Sequence, residues 1–159
     1  MQLKNKEYLL SSVLFVGILV AFYSVYQDFV RFYGFEGTLF KIKDCIVPNP
    51  VITPCFWGAW AFLISLIWSL KNIKIKETEK RLKQTKYLLW FLMGGTMFAW
   101  TNFSLELIKF INAGGGEIVG CSGALVTNPF LTPCFYGSAL FLTAMIVAFI
   151  LKSKVKSQD

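Results

Sequence analysis

The chain has no histidine among its 159 residues. Histidine is the usual general base near neutral pH and the commonest metal ligand, so no serine-based triad can be assembled and a haem or zinc site lacks its favoured donor. No metal site and no bound cofactor are therefore expected. Charge is missing too, in four long stretches: Tyr8 to Tyr26, Phe56 to Leu70, Tyr87 to Leu105 and Phe135 to Leu151. Their only polar side chains are Ser, Thr, Tyr, Trp and one Asn. Ion and substrate paths usually carry an ionisable residue within the membrane, so transport is a weak expectation and a pore would need an oligomer. No phosphate-binding glycine loop follows a strand; the "AGGGE" run follows a helical pattern and reads as a loop.

What is present is apolar surface. The chain is 55% hydrophobic and 17% aromatic. Each uncharged block approaches the ~20 residues that cross a hydrocarbon core. A soluble four-helix bundle would need polar faces at a helical period, and these blocks are apolar all round. The expected fold is thus an all-α integral membrane protein with four transmembrane helices, at about 8–26, 55–70, 87–105 and 134–151. The basic start, with Lys4 and Lys6, would suit a signal peptide, but the apolar run is too long and Tyr23 to Asp28 offers no small-residue cleavage site. An uncleaved first span is expected.

The basic residues are unevenly placed. Lys4 and Lys6 precede the first span; Lys71, Lys74, Lys76, Lys80, Arg81, Lys83 and Lys86 lie between the second and third; Lys152, Lys154 and Lys156 follow the fourth. The other two loops hold only Arg31, Lys41, Lys43 and Lys109, with five acids among them. The positive-inside rule then places both termini and the middle loop in the cytoplasm of a plasma (inner) membrane. The middle loop reads as a topology signal or a lipid-headgroup contact, and no nucleic-acid partner is expected.

One pattern occurs twice: "NPVITPCFWG" from Asn49 to Gly58 and "NPFLTPCFYG" from Asn128 to Gly137, an offset of 79 positions. In the preceding span the better offset is 78, which sets Gly17 and Ala21 on Gly95 and Ala99, and "DFVRF" on "ELIKF". The chain therefore reads as two tandem copies of helix, outer loop, helix: residues 1–72 and 83–159, with a basic cytoplasmic linker at 73–82. Both copies start and end inside, so they are parallel repeats, most simply a pseudo-twofold four-helix bundle. The Gly-x-x-x-Ala notches allow close backbone approach, and the two first helices are expected to cross there. Asp28 with Arg31, and Glu106 with Lys109, are spaced as charge pairs on one helix face at the outer end; alternatively the two acids line a polar site shared between the repeats. Gly34 and Gly114 to Gly116 are expected to end these helices.

Within the repeated stretch, Asn49 and Asn128 open a turn, Thr53 and Thr132 are helix caps, and Pro54 and Pro133 take the first helical position. Cys55 and Cys134 then fall in the first turn, where the helix dipole favours an anionic sulfur. Gly58 and Gly137 leave space one turn on, and Trp57 and Tyr136 lie at the depth of an aromatic belt, as contacts for a ligand or partner.

Two uses of the cysteines follow. Intraloop bridges, Cys45 to Cys55 and Cys121 to Cys134, would close nine and twelve intervening residues and stabilise by about 2–3 kcal/mol. Four cysteines also allow cross-repeat pairings. The second use is redox exchange. Four spans, cytoplasmic termini, two cysteines in each outer loop and a Pro-Cys opening the second span resemble the disulfide bond formation protein B family, and more distantly the vitamin K epoxide reductase family. That resemblance implies transfer of electrons from thiols to a membrane quinone. The chain departs from those families at Gly58 and Gly137, where a C-x-x-C pair would place its second cysteine. The leading expectation is a non-enzymatic membrane protein with disulfide-braced outer loops that recognises a membrane partner, a second copy or an outer-side ligand. The alternatives are a quinone-coupled thiol–disulfide oxidoreductase, and a small transporter or oligomeric channel.

Overall fold

The computed structural model describes residues 2–37, 48–121 and 123–156. It is all-helical apart from one small hairpin. Helix α1 spans Gln2–Glu36, α2 Pro54–Ile73, α3 Thr78–Asn112 and α4 Pro133–Lys156. Single 3-10 turns at Pro50–Ile52 and Pro129–Leu131 precede α2 and α4. Strands β1 (Ile118–Val119) and β2 (Leu125–Val126) pair antiparallel between α3 and α4.

Three helices, α1, α2 and α4, are long and apolar enough to cross a membrane. Helix α3 is not among them, although four spans were expected. Its uncharged stretch is interrupted by Tyr87, Trp90, Gly94, Gly95, Thr96, Trp100, Thr101 and Asn102, which dilute its hydropathy. At 35 residues α1 and α3 are each about 52 Å long, well beyond a ~30 Å hydrocarbon core. The surface is apolar and the interior partly polar. No more than 33% of each apolar window is buried, while Phe15, Leu19, Trp60, Ile67 and Phe149 face outward and Glu7, Ser11, Ser65, Ser69, Asn72, Thr85 and Glu106 face inward. A soluble core has the opposite arrangement; lipid-facing helices have this one.

Helix α1 packs on α2 and α4, and α3 packs on α4 and α2, with the α2–α3 seam the least extensive. The first helices of the two halves share no extensive seam and are joined at one end by the Glu7–Arg81 pair, which corrects the expected crossing at the notches. Each glycine notch is filled by a phenylalanine of its own half. A Cβ on Gly17 would lie 2.5 Å from Phe62, and one on Gly95 2.8 Å from Phe141. The two phenylalanines then stack on each other between α2 and α4, centroids 3.9 Å apart and planes at 23°. So the notches serve close helix pairing within each half, and α2 and α4 meet in the middle.

One of the two helix ends differs from expectation. Gly34 lies inside α1; the helix stops at Gly37, whose φ of 64° is accessible to glycine and whose N–H donates to Tyr33 O at 2.9 Å. Helix α3 ends before Gly114 and Gly115, with φ of 66° and 78°. The last part of the 73–82 segment, from Thr78, is already the first turn of α3.

The interior has two polar ends. At the basic end, Glu7 of α1 pairs with Arg81 of α3, Ser11 bonds Ser69 at 3.0 Å, and Trp68 Nε1 donates to Gln84 Oε1 at 2.8 Å. The opposite, thiol end holds the N-termini of α2 and α4.

Candidate functional site

Two equivalent helix starts build the thiol end. Asn49 Oδ1 accepts from Val51 N and Asn128 Oδ1 from Phe130 N, both at 3.0 Å, which fixes each 3-10 turn. Thr53 Oγ1 donates to Pro50 O and Thr132 Oγ1 to Pro129 O, both at 2.7 Å. The same hydroxyls accept from Phe56 N and Phe135 N at 3.4 Å, capping α2 and α4. Pro54 and Pro133 occupy the first helical position, where a missing N–H leaves nothing unsatisfied. Each device thus sets a cysteine in the opening turn: Cys55 in α2 and Cys134 in α4.

The hairpin delivers a third thiol. Cys121 follows β1, and the tight turn closes through Gly120 N to Ala124 O at 2.8 Å and Gly123 N to Gly120 O at 3.0 Å. A side chain at Gly120 would meet Val126 at 2.7 Å and Glu106 Oε2 at 3.3 Å, so the loop lies directly on the acid. Cys121 N donates to Glu106 Oε2 at 3.0 Å, and its thiol donates to Asn102 O at 3.8 Å.

The three cysteines converge. Cys134 Sγ lies within 4.8 Å of Cys121 Sγ, from its own loop, and Cys55, from the first half of the chain, lines the same two cavities as Cys134. A Glu106 oxygen, Cys121 Sγ and Cys134 Sγ all lie within 4.8 Å of one another. All three cysteines are free thiols and half-buried. The expected Cys121 to Cys134 bridge is therefore not formed, although its sulfurs are neighbours. Cys45, with the proposed Cys45 to Cys55 bridge, lies outside the described residues.

The acids were expected to pair with the base three residues on, and only one does. Asp28 is buried and its Oδ1 lies 3.4 Å from Arg31 Nη1. Glu106 is 2% exposed, while Lys109 is exposed and forms no ion pair with it. Glu106 Oε1 has no hydrogen-bond partner. The spacing was right for a helix-face pair; the hairpin folding onto Glu106 drew its carboxylate inward. Sequence reasoning missed Glu106 as a neighbour of the thiols, and it missed the hairpin. The Gly120, Cys121 and Gly123 spacing was the one available signal for that turn.

Below the thiols is a cavity of about 50 Å³, lined by Cys55, Gly58, Asn102, Cys134, Gly137 and Phe141 among others. That volume suits water rather than a ring. Beside it, in the α2–α3 seam, a groove of about 430 Å³ is lined by Trp57, Gly58, Phe91, Gly94, Phe98 and Phe141, a volume usual for small-molecule sites. Cavity and groove share Gly58, Phe98 and Phe141. Trp57 and Tyr136 are both exposed, and no atom lies within 4 Å of a Cβ position at Gly58 or Gly137.

No family model, curated protein or solved structure matches the chain.

Proposed function

We propose that the chain is a membrane thiol–disulfide oxidoreductase whose electron acceptor is a membrane quinone. The observation that carries this reading is the position of Cys134, with Cys121 Sγ within 4.8 Å and Cys55 lining the same two cavities. A cysteine that braces a loop needs one partner; one that exchanges needs two. The step is an exchange. The quinone oxidises the Cys55–Cys134 thiol pair to a disulfide, taking two electrons and two protons to become the quinol. The Cys121 thiolate then attacks Cys134 Sγ, the Cys121–Cys134 bond forms, and Cys55 leaves as thiolate. A substrate dithiol reduces that disulfide in turn, leaving as its own disulfide and returning Cys121 and Cys134 to thiols. The aromatic groove beside Gly58 gives a flat ring a place to sit, open to lipid at the seam of α2 and α3.

The wider frame of this reading is the four-span arrangement. The two helical hairpins are copies of one unit, related by a twofold axis along the membrane normal that passes between Phe62 and Phe141. The equivalent capping bonds in the two halves support it. The basic end, with both termini, faces the cytoplasm, and the thiols face the outer side, where disulfides persist. α3 is the fourth span, held among the other three by α2 and α4.

Mapping disulfides by mass spectrometry tests the exchange. The chain is purified in detergent, mildly oxidised, acid-quenched and alkylated. Both Cys121–Cys134 and Cys55–Cys134 links are expected, and Cys121→Ser should shift the population wholly to the second. Oxidation that never joins Cys55 to Cys134 overturns the reading and returns the outer loops to bracing and recognition. Reduced protein should also convert a short-chain quinone analogue to its quinol, and Cys134→Ser should abolish that.

A further inference from the structure

We infer that the reduced thiol end is also a binding site for a zinc-class cation, coordinated by Cys55, Cys121, Cys134 and Glu106. This goes beyond the exchange reading, because it stands on Glu106, which that chemistry does not use. The carboxylate is 2% exposed, its Oε2 is tied to Cys121 N, and its Oε1 has no partner. A buried carboxylate oxygen without a partner is costly unless something cationic comes to it. It groups with the Cys121 and Cys134 sulfurs, all within 4.8 Å, and Cys55 lines the same pocket as Glu106 and Cys134.

The donor set selects the ion. Thiolates favour soft and borderline cations over magnesium or calcium, which take oxygen. Copper(I) is satisfied by thiolates alone and would leave Glu106 as it is. Zinc(II) takes four donors in a tetrahedron and accepts sulfur and carboxylate oxygen together. At Zn–S distances of about 2.3 Å, tetrahedral donors lie roughly 3.5–3.8 Å apart, so the three grouped donors need to draw in by about an ångström and Cys55 to turn onto the fourth position. Side-chain rotation supplies that movement, while the two capped helix starts and the hairpin turn hold the backbones. The opening turns of α2 and α4 also carry partial positive charge, which offsets part of the excess negative charge of the ligands. Binding releases the thiol protons, so affinity rises with pH.

Cobalt(II) is the probe. Full-length reduced chain in lipid nanodiscs, in metal-free buffer with a phosphine reductant, is titrated with cobalt. One equivalent should give sulfur-to-cobalt charge-transfer absorption and the intense visible bands of tetrahedral cobalt, and one equivalent of zinc should erase them. Glu106→Gln should weaken cobalt binding by at least about 10-fold, the loss that removal of an outer-shell partner alone brings, while leaving the count of reactive thiols and the Cys55–Cys134 link unchanged. Glu106→Asp, which keeps the charge but draws the oxygen back, should weaken it too; it serves if the first variant does not fold. Octahedral cobalt spectra, or unchanged affinity in either folded variant, overturns the proposal. So does a site that takes copper(I) at one equivalent and ignores the Glu106 substitutions. The exchange reading is judged separately by disulfide mapping, so either can fail alone.

Discussion

At the basic end, Glu7 is buried and its Oε1 accepts from Arg81 Nε at 2.8 Å, linking α1 to α3 across 74 residues. At the thiol end, Glu106 is just as buried, yet no cation faces it among the described residues, and it receives one backbone N–H. Each leaves one oxygen without a hydrogen-bond partner, Glu7 Oε2 and Glu106 Oε1, but the first carboxylate has its charge compensated by Arg81 and reads as structure. The second is held in place without compensation, beside three thiols, and reads as function. Both are interior carboxylates near the ends of long helices, so burial alone does not separate the two; the partner does. The largest expected effect breaks this comparison most directly. Arg81→Ala leaves the Glu7 charge buried and unpaired and should cost about 3–5 kcal/mol of unfolding free energy in micelles. Glu106→Gln removes a charge that had no counterion, so stability should stay within about 1 kcal/mol of the parent or rise. Equal losses in both variants would sink the distinction. Glu7→Gln combined with Arg81→Met should recover most of the first loss.

The glycines offer the next contrast. Gly17→Ala and Gly95→Ala each drive a methyl group into a phenylalanine that is itself stacked on its counterpart. Overpacking of this kind costs about 1–3 kcal/mol. Gly94→Ala, one residue before Gly95, meets nothing within 4 Å and should be neutral or gain up to about 1 kcal/mol from helix propensity. Thermal inactivation in nanodiscs reads all three. If Gly94→Ala is as harmful as Gly95→Ala, the notch is not a packing feature.

Much of this was legible in the chain because it is local. Apolar blocks announce helices, and Asn, Thr and Pro at fixed offsets announce a turn and a cap whatever lies around them. The convergence of Cys55, Cys121 and Cys134 was not legible. It depends on α2 and α4 meeting at Phe62 and Phe141, and on a hairpin of two-residue strands folding back over α3, and neither leaves a period in the sequence. The Glu106 to Lys109 spacing was misleading for the same reason: a helix-face pair is worth only a few tenths of a kcal/mol, so a tertiary contact with the Cys121 backbone overrides it. The 87–105 stretch of α3 was read as equal to the other spans because it lacks charge; its Trp, Thr and Asn residues set it below them.

The caps test whether the two halves remain equivalent. Thr53→Ala and Thr132→Ala each remove a hydroxyl that both donates to a proline carbonyl and accepts a helix N–H, and each should cost about 1 kcal/mol. Chemical denaturation in mixed micelles should show losses matched within error. If the exchange reading holds, the same variants should also slow formation of the Cys55–Cys134 link, because each cap aims a thiol. A loss at one threonine with none at the other would show that only one of the two helix starts depends on its cap.

The smallest effect concerns neutral polar groups at the basic end. Ser11 Oγ and Ser69 Oγ lie 3.0 Å apart between α1 and α2, whereas Ser65, one turn earlier on α2, is fully buried with no partner for its hydroxyl. Between helices in lipid such a bond is worth about 0.6 kcal/mol. A double-mutant cycle on Ser11→Ala and Ser69→Ala should return a coupling of that size. Ser65→Ala has no bond to lose and sheds a buried hydroxyl, so it should be neutral or stabilising. This is the carboxylate comparison at lower stakes, with no charge and no chemistry involved. If Ser65→Ala costs as much as Ser11→Ala, then burial rather than partnership sets the value of interior polar groups here, and the case for reading Glu106 by its missing partner weakens with it.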